Sequence, residues 1–265
     1  MLGFRCDGDR VKELSPTRAI MPYIMPTRTE SQVFFELLLD AAKVQGTVER
    51  ARAATGLKVT LLHLLLCAAG RVLAERPRLN RFVAGGRIYQ RRGVWVSFSA
   101  KREKSDAGAM VALKRQIPVG ATIADVVKLS DTVVGDARSG KKDQTDKELG
   151  LVLALPGPVV RLLVGILRAL DRFGLMPRFM IDGDPMYASL FVANLGSIDM
   201  DAPFHHLYEW GNIPLFCAIG RARDGKLPLR FTFDERIEDG LYCLRALELL
   251  REALETGTGL VDAAG

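Results

Sequence analysis

The stretch KVTLLHLLLCAAGRVLAERPRLNRFVAGGRIYQRRGVWVSFS, residues 58–99, decides how the chain is read. Its first part, Lys58 to Arg76, is apolar on most sides at helical spacing and is stopped by Pro77, which predicts a helix central to the fold. His63 lies among Leu61, Leu62, Leu64, Leu65 and Leu66, so a core or interface histidine with one satisfied nitrogen is expected there. From Arg81 to Ala100, Gly85-Gly86 separates a β-rich stretch from the alternation of Val94, Val96 and Phe98, which predicts two strands.

Working outward, Ser31 to Leu39 reads as a strand and Asp40 to Thr55 as a helix. Ala121 to Val134 is a further helix, with Thr122 a candidate cap and Asp125 in its first turn, and GDARSGKKDQTDKE after it is a solvated linker. Met186 to Leu195, Ile213 to Arg223 and Lys226 to Asp234 predict three more strands, and a last helix runs from about Asp239 to Glu255. Pro16, Pro22 and Pro26 exclude a long helix near the start and suggest an arm over residues 1–30. Residues 149–185, apolar yet rich in Pro and Gly, form an irregular insert. This order predicts an α+β fold, a two-layer sandwich of helices against one mixed sheet in a single domain spanning 1–265. No repeat is visible, and no GxGxxG or GxxxxGK[ST] motif opens a helix, so the usual phosphate cradle of nucleotide-binding folds is missing.

Composition narrows the class further. Hydrophobic residues at 48% and charged residues at 26% of 265 exclude disorder, collagen-like repeats and a disulfide-stapled mini-protein. The net charge of +6 is spread along the chain in runs as short as Arg91-Arg92 and Lys141-Lys142, so no nucleic-acid partner is expected. Cys6, Cys67, Cys217 and Cys243 have neither CxxC spacing nor a nearby His pair, so no metal site is expected and most should be buried free thiols. The N-terminus carries charges where a signal peptide needs its apolar run, which predicts a cytoplasmic location. Leu149 to Leu170 is interrupted by Pro156-Gly157-Pro158, Arg161 and Arg168 and is not a membrane span. Within it, residues 156–175 are expected to be helical, with Arg161, Arg168 and Arg172 on one face and Leu162, Leu163, Ile166, Leu167 and Leu170 over the rest. Two readings of that helix stay open: an interfacial element that meets a membrane surface or a greasy acyl chain, or a cover for the core with arginines at its rim.

Four stretches in this order carry a resemblance: LSPTRAI (14–20), residues 58–99, VANLGSI (192–198) and FTFDERIEDGLYCLRALELLREALE (231–255). Together they resemble the catalytic domain of the dihydrolipoamide acyltransferases of 2-oxoacid dehydrogenase complexes, relatives of chloramphenicol acetyltransferase, over about residues 14–255. The resemblance implies a chloramphenicol-acetyltransferase-like fold, a homotrimer with its active site in a channel between subunits, and acyl transfer with coenzyme A as cosubstrate. In that family a histidine of the motif D-H-R-x-x-D-G takes the acceptor proton and a Ser or Thr hydroxyl on a later strand stabilises the oxyanion.

Here the motif reads Asp234-Glu235-Arg236-Ile237-Glu238-Asp239-Gly240, with Glu235 at the histidine position, while Asp239 and Gly240 match. Ala193 falls where the hydroxyl is expected, although a one-residue shift brings Ser189 or Ser197 near. The run PFHHLYEWGN, residues 203–212, stands where the family leads into its next strand and holds two of the three histidines. His205 and His206 are therefore candidate bases, with Glu235, Glu209 or Asp239, of the same or a neighbouring subunit, as candidate orienters. The alternative is that HHLYEWG packs across subunits. Lys101, Arg102 and Lys104, after a strand end, are candidates for a coenzyme A phosphate. The implied function is acyl transfer with an altered active site to a small or lipid-like acceptor, or else a catalytically silent relative serving as a trimeric binding or scaffold module.

Overall fold

A computed structural model describes residues 5–101, 110–138 and 150–261. Six strands form the principal sheet: β2 (Gln32–Asp40), β5 (Val94–Lys101), β6 (Met110–Ile117), β7 (Leu190–Asn194), β8 (Leu215–Ile219) and β9 (Lys226–Asp234). Their order is β2-β9-β8-β7-β5-β6, with β7 parallel to both its neighbours and every other pair antiparallel. The sheet is thus mixed, as the sequence predicts. Register follows side-chain alternation: on β8, Cys217 and Ile219 enter one core while Phe216 and Ala218 enter another, and on β7 Leu190 and Val192 oppose Phe191 and Ala193 in the same way.

The larger core lies under four helices, α2 (Ala41–Thr55), α3 (Leu61–Glu75), α4 (Ile123–Arg138) and α7 (Gly240–Thr256). Each begins where a polar side chain satisfies free amides. Asp40 accepts from the N–H groups of Ala42 and Lys43, Asp239 accepts from Tyr242, and Thr122 and Asp125 exchange bonds reciprocally. Thr60 starts α3 three residues later than periodicity alone suggests, because it forms a capping box with His63. His63 is buried and its Nδ1 accepts from the Thr60 amide at 3.3 Å, a satisfied nitrogen as the sequence calls for.

Several expectations need correction. Residues 81–101 hold three strands, because Gly93 at φ +73° adds a second turn after Gly85-Gly86; they are β3 (Arg81–Ala84), β4 (Arg87–Arg91) and β5. β4 and β3 join β1 (Gly8–Arg10) in a separate three-stranded sheet, so the described residues form two sheets rather than one. β1 and β6 are missed by pattern reading: β1 has three residues, and β6, with sequence MVALKRQI, mixes charge into an edge strand. The proline-rich arm holds a helix, α1 (Pro16–Ile24), begun by Ser15 accepting from Arg18 N–H and by Pro16 in the first turn, and ending soon after Pro22. It is short, as the prolines require.

The insert is not irregular. It forms α5 (Gly157–Phe173), closed by Gly174 at φ +73°, and the short α6 (Arg178–Gly183). No α5 residue is buried, and Leu162, Leu163, Ile166 and Phe173 are exposed; α5 adds nothing to the larger core, and its Leu167 packs only on the small cluster of Met176, Ile181 and Tyr187. Arg5 ties its end down, bonding the Asp171 carboxylate and carbonyl, each at 2.9 Å. Of the expected linker GDARSGKKDQTDKE, residues 135–138 instead continue α4, and 139–148 lie outside the described residues.

The cysteines behave as apolar side chains. Cys67, Cys217 and Cys243 are buried and Cys6 is half-buried. Burial pushes the Cys67 thiol up to about 11 and Cys243 to about 12, and raises Cys217 further still. Since the thiolate is the reactive species, an aromatic disulfide reagent at pH 8 is expected to modify no more than one thiol, Cys6, rapidly in the native protein and all four in denaturant. Rapid native labelling of two or more thiols would contradict this packing.

Candidate active site

The motif loop after β9 is built first as structure. Asp234 and Arg236 are both buried and joined by two bonds, Nε to Oδ1 at 2.8 Å and Nη2 to Oδ2 at 2.7 Å. The remaining Arg236 donor, Nη1, reaches the carbonyls of Met25 and Pro26, and the Glu235 amide donates to the Ser31 carbonyl, so the loop is stitched to the arm. Buried Glu238 meets Arg78 at 3.2 Å and Arg18 and Arg81 at 3.7 Å. Asp239 caps α7, and the Tyr242 amide holds its carboxyl below the usual carboxylate range. Of the motif carboxylates, only the half-buried Glu235 forms no side-chain hydrogen bond or ion pair among the described residues.

The histidine pair lies elsewhere, on the sheet face opposite the helices. Leu207, Ala202 and Ile213 of the loop before β8 pack there with Phe191, Phe216 and Ala218. This pins the His205 ring flat on Phe216, with centroids 4.1 Å apart and planes 5° from parallel. The Thr232 hydroxyl donates to the His205 carbonyl, fixing the backbone to β9. His205 Nδ1 is 2.7 Å from the His206 carbonyl oxygen. A carbonyl can only accept, so Nδ1 carries the proton and Nε2 keeps its lone pair. Desolvation lowers the His205 pKa from its ordinary value, the carbonyl bond opposes this, and neighbouring His206 adds to the lowering. The ring is half-buried, and the lowering favours its neutral form. His206 is exposed and stacks on His205 at 4.7 Å.

Within one chain neither imidazole is hydrogen-bonded to Glu235, Glu209 or Asp239. Glu209 instead accepts from the amide and hydroxyl of Thr29, each at 2.9 Å. Within the chain, the group bonded to the His205 ring is the His206 backbone carbonyl. Phe216 and Thr232, which position His205, are missed by reading the sequence, since only sheet register brings them under it.

Ala193 sits on the same face as His205, packed against the Phe216 cluster. Ser189 is buried with its hydroxyl accepting from the Trp95 amide, and the exposed Ser197 hydroxyl donates to the Asn194 carbonyl, so both alternatives serve the backbone. Lys101 ends β5, and Arg102 and Lys104 lie outside the described residues. Among the described residues no helix is long and apolar enough to cross a membrane.

No protein-family model matches the sequence, and no curated protein matches it. Solved structures do. The probable dihydrolipoamide acetyltransferase of Listeria monocytogenes 4b F2365 superimposes at a TM-score of 0.58 with 15% identity, over 94% of this chain and 95% of that one. The dihydrolipoamide acetyltransferase of Azotobacter vinelandii gives 0.57 and 19%, over 92% and 91%. A chloramphenicol acetyltransferase gives 0.55 and 12%, over 92% and 96%. The chain therefore has the chloramphenicol-acetyltransferase-like α+β fold, the fold of acyltransferase catalytic cores.

Proposed function

We propose that the protein is a coenzyme A-dependent acyltransferase that has moved its general base from the motif loop to His205. The observation that supports this is the setting of that ring: half-buried and held by a backbone carbonyl through Nδ1, which leaves Nε2 of its neutral form as a proton acceptor. In the step we infer, Nε2 takes the proton of an acceptor thiol or hydroxyl. The freed sulfur or oxygen bonds to the thioester carbonyl carbon, the carbon–sulfur bond to coenzyme A breaks, and the leaving thiolate recovers the proton from the imidazolium. The Phe216 stack fixes the ring plane, so little reorientation is needed.

The same proposal makes the protein a homotrimer in which Glu235 of one subunit faces the histidine loop of another, with a small or lipid-like acceptor in a cytoplasmic setting. Light scattering should give three times the 29.1 kDa chain mass. A monomer at micromolar concentration would sink the shared channel. The exposed leucines of α5 leave contact with a membrane surface open to test by sedimentation with anionic vesicles.

In an acyl-coenzyme A thiol-release assay, His205→Ala is expected to lose on the order of 10² to 10⁴ in rate, with Glu235→Gln intermediate. Turnover unchanged by His205→Ala would remove His205 from the mechanism. A second reading, a silent binding or scaffold module, is favoured by Ala193 and Glu235 standing at the two positions where the resemblance expects catalytic groups. It predicts no turnover by the wild-type protein or by Glu235→His, whether or not coenzyme A binds.

A further inference from the structure

A cleft of about 850 Å³ opens between the arm, the β3–β4 turn, α5 and residues 209–211, away from His205. Its size is that of a small-molecule site. Its walls carry four guanidinium groups, Arg28, Arg168, Arg172 and Arg236, against two carboxylates, Asp171 and Glu209. Both carboxylates are engaged, Asp171 by Arg5 at 2.9 Å and Glu209 by Thr29. The cations differ in state. Arg236 is neutralised by Asp234, but Arg28 is buried and donates only to the carbonyls of Tyr208, Glu209 and Gly211, so its charge has no bonded counter-ion. Arg168 and Arg172 are exposed and form no hydrogen bond or ion pair among the described residues.

The rest of the wall combines Thr27 and Thr29 with apolar and aromatic residues, including Tyr23, Tyr187 and Trp210. Trp210 is locked by its Nε1 donating to Asp184 at 2.6 Å. At the turn, a Cβ on Gly85 would lie 2.1 Å from the Arg172 carbonyl oxygen, so only glycine lets α5 approach the hairpin and close this wall.

We propose that this cleft binds an amphipathic anion, a molecule with a carboxylate or phosphate head and an acyl or aromatic body, with Arg168 and Arg172 taking the head and the aromatic wall the body. Three of the cations that would hold it have no carboxylate partner, and a buried, carbonyl-bonded arginine supplies positive charge that salt screens poorly. The site does not depend on the acyl-transfer reading and is tested without turnover.

The test is calorimetric titration of the full chain with decanoate, decyl phosphate, decanol and inorganic phosphate, alongside thermal melting. Decanoate or decyl phosphate should bind and raise the melting temperature, the tighter of the two naming the head group; decanol and inorganic phosphate should bind at least tenfold more weakly. Arg168→Glu with Arg172→Glu should weaken the preferred anion by about tenfold or more per arginine, since both side chains are solvent-facing and the fold should persist. Ala169→Trp, an exposed helix position lining the cleft, should block it without changing charge. Absence of binding by either anion, binding of decanol equal to both, or affinity unchanged in the arginine double variant and in Ala169→Trp would each overturn the proposal.

Discussion

Asp234→Asn is expected to destabilise the protein by about 3–5 kcal/mol, because it strips the counter-ion from an arginine that cannot return to water. Arg236 and Asp234 have side chains only 3% and 1% exposed, and the pair lies within a loop whose other donors hold the arm. Removing one partner leaves a buried charge uncompensated, whereas replacing both with apolar groups of similar volume should cost far less. Chemical denaturation of Asp234→Asn, Arg236→Met and the double variant Asp234→Leu/Arg236→Met separates the two cases. A single-variant loss below about 1 kcal/mol would show that the loop relaxes and admits water, and that the pair does not organise the motif. Arg236→Met should also free the arm, seen as faster proteolysis near Met25 and Pro26.

Gly211→Ala is expected to cost on the order of 3–5 kcal/mol, combining an unfavourable left-handed backbone with steric overlap. Gly211 has φ +75°, and a Cβ there would lie 2.2 Å from the Met186 carbonyl oxygen. That oxygen cannot simply move, since it accepts the Asn212 amide at 2.9 Å. Arg28 also anchors on the Gly211 carbonyl at 2.6 Å, so a shift would carry the cleft wall with it. Gly46→Ala, where an added Cβ meets nothing within 4 Å and which sits inside α2, is the matched control and should be neutral or stabilising. Equal melting temperatures for the two variants would contradict the backbone argument.

How far the sequence reaches can be judged element by element. α2, α3 and α7 were legible because their apolar spacing is helical and their ends carry local signals: Asp40, Thr60 and Asp239 before them, Gly56 and Gly257 after α2 and α7. β9 was legible for the complementary reason, a run of alternating apolar residues bounded by polar ones. Such signals act within a few residues and need no partner. The assignment of His63 to the core follows from the same local pattern.

What depends on long-range pairing was not legible. β1 is three residues long and exists because Gly8 to Arg10 find Arg91 to Tyr89, some eighty residues away. α5 reads as amphipathic whether or not anything covers it; only the tertiary arrangement leaves Leu162, Leu163 and Ile166 exposed and Arg168 and Arg172 on a cleft. The candidate site divides the same way. The sequence by itself determined that Glu235 lies in the run Asp234 to Gly240 and that two histidines lie upstream of it. The tertiary structure decided that Asp239 is spent on a helix cap, that His205 rather than His206 is pinned on Phe216, and that its proton sits on Nδ1. A residue's identity sets which bonds it can form, but its tautomer, charge and orientation are set by neighbours that the sheet register delivers from distant parts of the chain.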